Sequence, residues 1–252
     1  MVFVNLNVHR ANQGWGTGNF VMMNRFCTAI LLSSLLALPF TTAAEGLLLT
    51  GIESTSSSSS YLFVGALIPL PDNSLAHGLV MHLWTDFLTY SYDAGTTEIN
   101  AKVNSVSAAI AYHDSASNYW WNAKIGTARG NTRLTPDDPG NKSRGIQTDI
   151  KLGLSGERQL SSTVKINGIL DYGTDNKAYW TRFRLLGKFS GQKYHGPEII
   201  FQGDPSYDIQ QFGWAITGIA IQNNSSLGVK AGVRKSGDST SRYLGVEVVV
   251  PY

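Results

Sequence analysis

The sequence predicts an all-β fold, an antiparallel transmembrane β-barrel of about twelve strands, and three observations support this prediction. Apolar and polar residues alternate with a period of two through most of the chain after residue 45. Turn-forming Asp, Asn, Gly and Ser residues separate these runs. The runs often reach or exceed the roughly 9–11 residues that a tilted membrane-spanning strand needs. Such strands have one apolar face and one polar face.

The composition is that of a folded but weakly charged chain. Of its 252 residues, 42% are hydrophobic, 11% are aromatic and 15% are charged. The charged share lies below the roughly 25% that is usual for soluble domains. The hydrophobic share is too high for a disordered chain, and the charge too low for a coiled coil.

The first 44 residues are predicted to be targeting sequence. A short basic start at residues 22–25 is followed by an apolar run and by small residues at 42–44, which is the pattern of a cleavable signal peptide. We therefore expect a signal peptide over residues 22–44, and a leader over residues 1–21 that precedes the true translation start. A single β-barrel domain would then occupy residues 45–252.

The charge balance of this barrel domain argues against nucleic acid as a partner. Residues 1–44 hold two arginines and no acid, which leaves 18 basic and 18 acidic residues in the domain. Binding to a phosphate backbone would require a basic excess. The sole cysteine, Cys27, lies in the predicted signal peptide, so the domain has neither disulfides nor thiolate metal sites.

The predicted strands follow from the alternation and from the turns between them. They lie near residues 46–54, 60–68, 78–92, 97–113, 118–132, 146–155, 162–172, 178–187, 194–202, 207–222, 226–235 and 242–252. In the fourth run the apolar residues change from odd to even positions, which predicts a β-bulge near Asn104 and Ser105.

A secreted β-sandwich is the alternative to a barrel, because it too would bury one apolar face. The even strand number and the long connection at residues 131–145 favour the barrel. Aromatic residues near strand ends also fit a membrane-interface girdle. These are Tyr90, Tyr92, Trp120, Trp121, Tyr179, Trp180 and Tyr207.

The C-terminus carries an alternating apolar face that is similar to the assembly signal of outer-membrane proteins. This face consists of Leu244, Val246, Val248, Val250 and Tyr252. It differs from the usual pattern because the last residue is Tyr rather than Phe, and because Pro251 precedes it.

Strand parity also predicts which side chains face the barrel lumen. The lumen-facing candidates are Lys151, Arg182, Arg184, Glu198, Gln202, Trp84 and Trp180. Glu198 beside Arg182 and Arg184 is expected to form structural charge pairs or, alternatively, part of a polar surface that contacts a glycan. The tryptophans would stack on sugar rings or fill a narrow bore. Parity also assigns Lys102 to the lumen, so the predicted lumen carries a slight excess of positive charge.

Catalysis finds little support in the residues. His77, His82, His113 and His195 lack the spacing of metal sites, and no Gly-x-Ser-x-Gly motif is present. We therefore expect no catalytic residue, metal or cofactor. A small channel for charged oligosaccharides, and a lipid-hydrolysing barrel with His82 as its base, remain as alternatives.

Three parts of the chain carry a family resemblance: residues 63–93, residues 196–204 and the final hairpin at residues 230–246. They resemble the BcsS family of bacterial cellulose-biosynthesis proteins, and the similarity extends over about residues 47–252. The resemblance implies an outer-membrane accessory protein for cellulose biosynthesis or export. Its implied partners are outer-membrane lipid, cellulose or another glycan, and cellulose-export components. It implies no catalytic residues.

Overall fold

The computed structural model describes residues 46–204, 207–222 and 224–252. The predicted leader and signal peptide, residues 1–44, lie outside the described residues. Within the described part the chain forms twelve β-strands. They are β1 (Leu47–Thr55), β2 (Ser60–Pro69), β3 (His77–Ala94), β4 (Thr97–Ala116), β5 (Tyr119–Thr135), β6 (Gly145–Gln159), β7 (Val164–Gly173), β8 (Tyr179–Ser190), β9 (Lys193–Asp204), β10 (Tyr207–Ala220), β11 (Ser226–Ser236) and β12 (Ser239–Pro251). No helix in these residues is long and apolar enough to span a membrane.

The strands close into one antiparallel barrel. Each strand pairs with its neighbours in the chain, and β1 pairs with β12 from Leu47 opposite Pro251 to Thr55 opposite Tyr243. Closure gives every strand two partners, so no sheet edge is left unpaired. The predicted barrel is thus confirmed, and the alternative of a β-sandwich is wrong.

The outward face of the barrel is an apolar belt. Exposed residues of this face include Leu83, Phe87, Val106, Ile110, Ile125, Ile150, Leu152, Leu154, Ile166, Leu170, Phe183, Leu185, Phe212, Trp214, Val233 and Leu244. Twelve antiparallel strands with an outward apolar band are the architecture of bacterial outer-membrane proteins. The protein therefore lies in the bacterial outer membrane.

The two ends of the barrel differ in their connections. The terminal end, where β1 begins and β12 ends, carries the connections at residues 70–76, 117–118, 160–163, 191–192 and 221–225. The far end carries the other six, including the longest, residues 136–144 between β5 and β6. Because outer-membrane barrels keep their longest loops outside the cell, we place the far end at the cell exterior.

The predicted bulge in β4 is wrong. The pairing of β4 with β3 and with β5 runs without a register shift past Asn104 and Ser105. Ile99, Ala101 and Val103 face inward and are buried, so Lys102 lies exposed on the outside instead of in the lumen. The apolar parity changes because β4 extends beyond the belt, where the outer face is polar and the inner face packs against other side chains.

Those inner side chains form a buried hydrophobic cluster at the far end. Tyr90 and Tyr92 of β3 belong to it, so they are not girdle residues as predicted. The loop at residues 136–144 contacts the cluster: the Tyr92 hydroxyl donates to Asp138 Oδ2 at 2.7 Å, and Asn141 Nδ2 donates to the Tyr92 hydroxyl at 2.8 Å. The longest loop is thereby tied to the inner face of the barrel.

Exposed aromatic residues at the terminal end form part of an interface girdle. Tyr112 and Trp121 lie on adjacent strands of the outer face, with ring centroids 6.0 Å apart. Trp120, by contrast, lines the interior.

Gly46 N donates to Tyr252 O at 2.9 Å, and the Tyr252 ring lies over Gly46, where a Cβ would be 2.3 Å from the ring. This last rung joins the two ends of the described chain.

The remaining residues of the C-terminal motif alternate with inward-facing Tyr243, Gly245 and Glu247. Leu244 is 62% exposed on the outer face, whereas Val248 is 8% exposed although it has the same parity. Val248 lies between Thr50 and Leu227 in the pairing of β12 with β1 and β11.

Candidate functional site: the barrel interior

The interior is crossed by a cluster of paired charges. Arg184 of β8 and Glu198 of β9 are directly opposite each other in the register, and Arg184 Nε donates to Glu198 Oε2 at 2.6 Å. Glu198 is 1% exposed. Strand parity places both residues on the inner face, and the register of β8 and β9 puts the two opposite charges directly across from each other.

Glu247 of β12 connects these residues to the other side of the barrel. Its carboxylate accepts a hydrogen bond from Arg182 Nη1 at 2.9 Å and one from Arg184 Nη1 at 3.2 Å. Because β8 and β12 are four strands apart in the closed order, these bonds cross the lumen.

Lys230 and Glu53 complete the cluster. Lys230 Nζ lies 2.7 Å from Glu53 Oε2 and 3.8 Å from Glu247 Oε1, while Gln211 Nε2 donates to Glu53 Oε1 at 2.8 Å. We call the six charged residues the central network: Glu53, Arg182, Arg184, Glu198, Lys230 and Glu247. Three cations and three acids make the central network neutral, which offsets the cost of removing each charge from water.

The part of the interior lined by β5, β6 and β7 contains separate ion pairs. Lys124 Nζ lies 2.7 Å from Asp171 Oδ1, and Lys165 Nζ lies 2.9 Å from Glu157 Oε1. Lys151 is 3.7 Å from Asp149. Each of these three lysines lies beside an acid, and the central network, which includes Glu53, is neutral. Lys102 lies outside the barrel and adds no charge to the lumen. The predicted positive excess of the lumen is therefore wrong.

An aromatic stack lies on the inner face of β2 and β3. The rings of Phe63 and Trp84 are 4.8 Å apart at centroid and nearly parallel, and Trp84 Nε1 donates to Asp86 Oδ1 at 3.1 Å. Gly65 makes room for this stack, because a Cβ there would be 2.1 Å from the Trp84 ring. Asp86 also accepts hydrogen bonds from the hydroxyls of Tyr61 and Ser105.

A cavity of about 770 Å³ remains beside these groups. Of the lumen-facing candidates it is lined by Lys151, Arg182, Arg184, Gln202, Trp84 and Trp180. Glu198, the seventh, lies on the same inner face, bonded to Arg184 and to the Tyr243 hydroxyl. The residues that line the cavity include Leu47 and Ser226 near the terminal end of the barrel and Tyr90 toward the far end, so the cavity extends along the barrel axis.

The structure brings together two histidines that sequence spacing did not connect. His82 Nε2 of β3 and His113 Nε2 of β4 are 2.8 Å apart, so one ring donates a hydrogen bond to the other. His113 Nδ1 lies 3.2 Å from the carbonyl of Leu75, in the connection at residues 70–76. The imidazole predicted as the base of a lipid hydrolase is thus bonded to a second imidazole. Within the described residues no group of three His, Cys, Asp or Glu could hold a metal ion.

Sequence reasoning missed several members of the site. Glu53 was missed because Leu47, Leu48 and Leu49 are apolar on both faces, which hides the parity of β1. Tyr243 could have been found, since it has the opposite parity to the apolar face of β12. No sequence signal marks the contact between Arg182 and Glu247, because it depends on closure of the barrel.

Comparisons with known proteins find several barrels of low similarity among the solved structures. The KdgM porin in complex with disordered oligogalacturonate is 12% identical with a TM-score of 0.46, over 80% of this chain and 97% of the porin. A TodX monoaromatic hydrocarbon channel mutant is 9% identical with a TM-score of 0.46, over 82% and 89%. An anion-selective porin from Comamonas acidovorans is 9% identical with a TM-score of 0.36, over 83% and 99%. No curated protein matches the sequence.

A family model provides the identification. The model described as cellulose biosynthesis protein BcsS matches residues 47–252, a range that contains all twelve strands of the barrel. This chain therefore belongs to the BcsS family of cellulose biosynthesis proteins.

Proposed function

We propose that this barrel is a non-catalytic accessory protein for bacterial cellulose biosynthesis or export. Membership of the BcsS family supports a role in cellulose biosynthesis. The central network supports the accessory role, and it is the observation that carries the proposal: the buried acids that general acid–base chemistry would need are held in ion pairs with Arg182, Arg184 and Lys230.

The same network disfavours passage of a polymer through this barrel. A glucan that entered the lumen would have to separate Arg182 from Glu247, and separation would leave buried charges without partners. An accessory role requires no such passage. It needs a stable barrel with surfaces at which a glycan or other components of cellulose export bind.

Deletion of the gene tests the proposal in a strain that demonstrably makes cellulose. We expect less cellulose at the cell surface, or cellulose in the wrong place, as measured with a cellulose-binding dye. Total cellulose synthase activity in isolated inner membranes should be unchanged. Complementation with the wild-type gene should restore the surface signal. Normal amount and distribution of cellulose in the deletion strain would overturn the proposal.

A small channel for charged oligosaccharides is the second candidate, and the cavity favours it. Lys124, Lys151 and Lys165 line this space, as does Trp180. If the barrel conducts, changing these lysines to Gln should alter ion selectivity in planar bilayers while surface cellulose stays normal. Changes in cellulose without any conductance would exclude the channel.

A further inference from the structure

Three basic residues stand on the outer face of the barrel near its far end. Lys102 lies on β4, and Arg129 and Arg133 lie on β5; all three are exposed. We call them the basic patch. Sequence parity had placed Lys102 in the lumen, and the unbroken register of β4 brings it onto this face.

The basic patch lacks internal charge compensation. Among the residues that the structure describes, none of its three cations makes an ion pair, whereas Arg182, Arg184 and Lys230 inside the barrel are all paired. Lys102 and Arg133 are also directly opposite each other in the register. Two like charges opposite each other destabilise an antiparallel pair unless an anion lies between them.

The basic patch begins where the apolar belt ends. Arg129 is directly opposite Val106, and Ile125 lies four residues before it on the same face. Arg129 and Arg133 are about 13 Å apart along the strand, at about 3.3 Å per residue. Asn104 and Asn131 lie opposite each other between them and add amide donors. On this face of β3 and β4 the far end carries the acids Asp93 and Glu98, which lie opposite each other near the hairpin tip, four residues or more from Lys102 in the register.

We propose that the basic patch binds the phosphorylated headgroup of a lipid in the outer leaflet. Arginine forms bidentate hydrogen bonds to phosphate oxygens, lysine adds a compact positive charge, and the two asparagines can donate further hydrogen bonds. Continuity with the belt favours a lipid over a free ion, because acyl chains can lie on Val106 and Ile125 while the headgroup meets the cations. The inference is independent of any role in cellulose biosynthesis.

The test compares lipid binding by the complete barrel and two charge-matched variants. The patch variant is Lys102→Gln, Arg129→Gln and Arg133→Gln. The control variant is Arg158→Gln, Lys188→Gln and Lys193→Gln, which removes three exposed cations near the terminal end. Each protein is titrated with a bisphosphorylated outer-leaflet glycolipid and with its dephosphorylated form, and bound lipid is measured by native mass spectrometry. Heat-modifiable electrophoretic mobility shows that each variant is folded.

Wild type and control variant should bind the phosphorylated lipid equally well, and the patch variant should bind it much more weakly, by about fivefold for each cation removed. Preference for the phosphorylated form should disappear in the patch variant. Equal binding by all three proteins would overturn the proposal, as would equal wild-type affinity for both lipids. Complete competition by millimolar inorganic phosphate would show a free-anion site instead. If the triple variant does not fold, Lys102→Gln with Arg158→Gln as its control decides the question.

Discussion

Arg182 of β8 and Glu247 of β12 meet across the barrel interior, with Nη1 of the arginine 2.9 Å from Oε1 of the glutamate. The two residues are 65 positions apart in the chain. Their contact joins parts of the barrel wall that are four strands apart, so the central network stabilises the closed barrel as a whole rather than any one hairpin.

Glu247→Gln should destabilise the barrel strongly. The substitution leaves Arg182, Arg184 and Lys230 with less negative charge in a buried environment, and breaking such a pair costs about 3–5 kcal/mol. Denaturant unfolding in lipid vesicles would measure the loss. Asp137→Asn is the control, because Asp137 and its partner Arg144 are both exposed. A surface ion pair of this kind contributes about 0–1 kcal/mol. Similar losses for both variants would contradict a structural role of the central network.

Removal of both members of the crossing pair should widen the bore. In the double variant Arg182→Ala, Glu247→Ala the remaining Glu53, Arg184, Glu198 and Lys230 still balance, so the barrel should assemble. Single-channel conductance in planar bilayers should rise severalfold over wild type. The double variant Asp137→Ala, Arg144→Ala should conduct like wild type. An unchanged conductance after opening the crossing pair would show that these side chains do not limit the bore.

Ile125→Arg should impair assembly, because it places a charge near the middle of the apolar belt of β5. Ile125 is 60% exposed on the outer face. A basic residue near the bilayer midplane costs roughly 2–4 kcal/mol, and the cost falls toward the interface. Asn131→Arg adds the same charge to the same face at the basic patch and should be tolerated. Folded yield in outer-membrane fractions distinguishes the two, and equal yields would contradict the assigned belt.

Gly65→Ala should disturb the stack of Phe63 on Trp84. The added Cβ would lie 2.1 Å from the Trp84 ring, so the ring must move, and overpacking of this kind costs about 1–3 kcal/mol. We expect a shift in tryptophan emission and a lower thermal midpoint. Gly168→Ala is the matched control, since its Cβ would be 3.4 Å from Phe183, an ordinary contact. If the control showed the larger effect, the packing argument would fail.

Much of the barrel could be predicted from local sequence, because apolar and polar residues must alternate with a period of two in a strand between lipid and lumen. That alternation located all twelve strands and placed Lys151, Arg184 and Glu198 on one inner face. It failed in β4, since the apolar parity there depends on where the strand leaves the membrane. Val103 and Val106 therefore face opposite environments in an unbroken strand.

Alternation, turn residues and family motifs thus determined the strand number, the closed antiparallel class and the family of this protein. Tertiary structure alone decided which charges meet, because barrel closure brings β8, β12 and β1 together from distant parts of the chain. The register of the β3–β4 hairpin placed His82 beside His113, and the unbroken register of β4 left Lys102 of the basic patch outside. Local sequence records the environment of each strand face, and only the register and curvature of the closed sheet determine the distances across it.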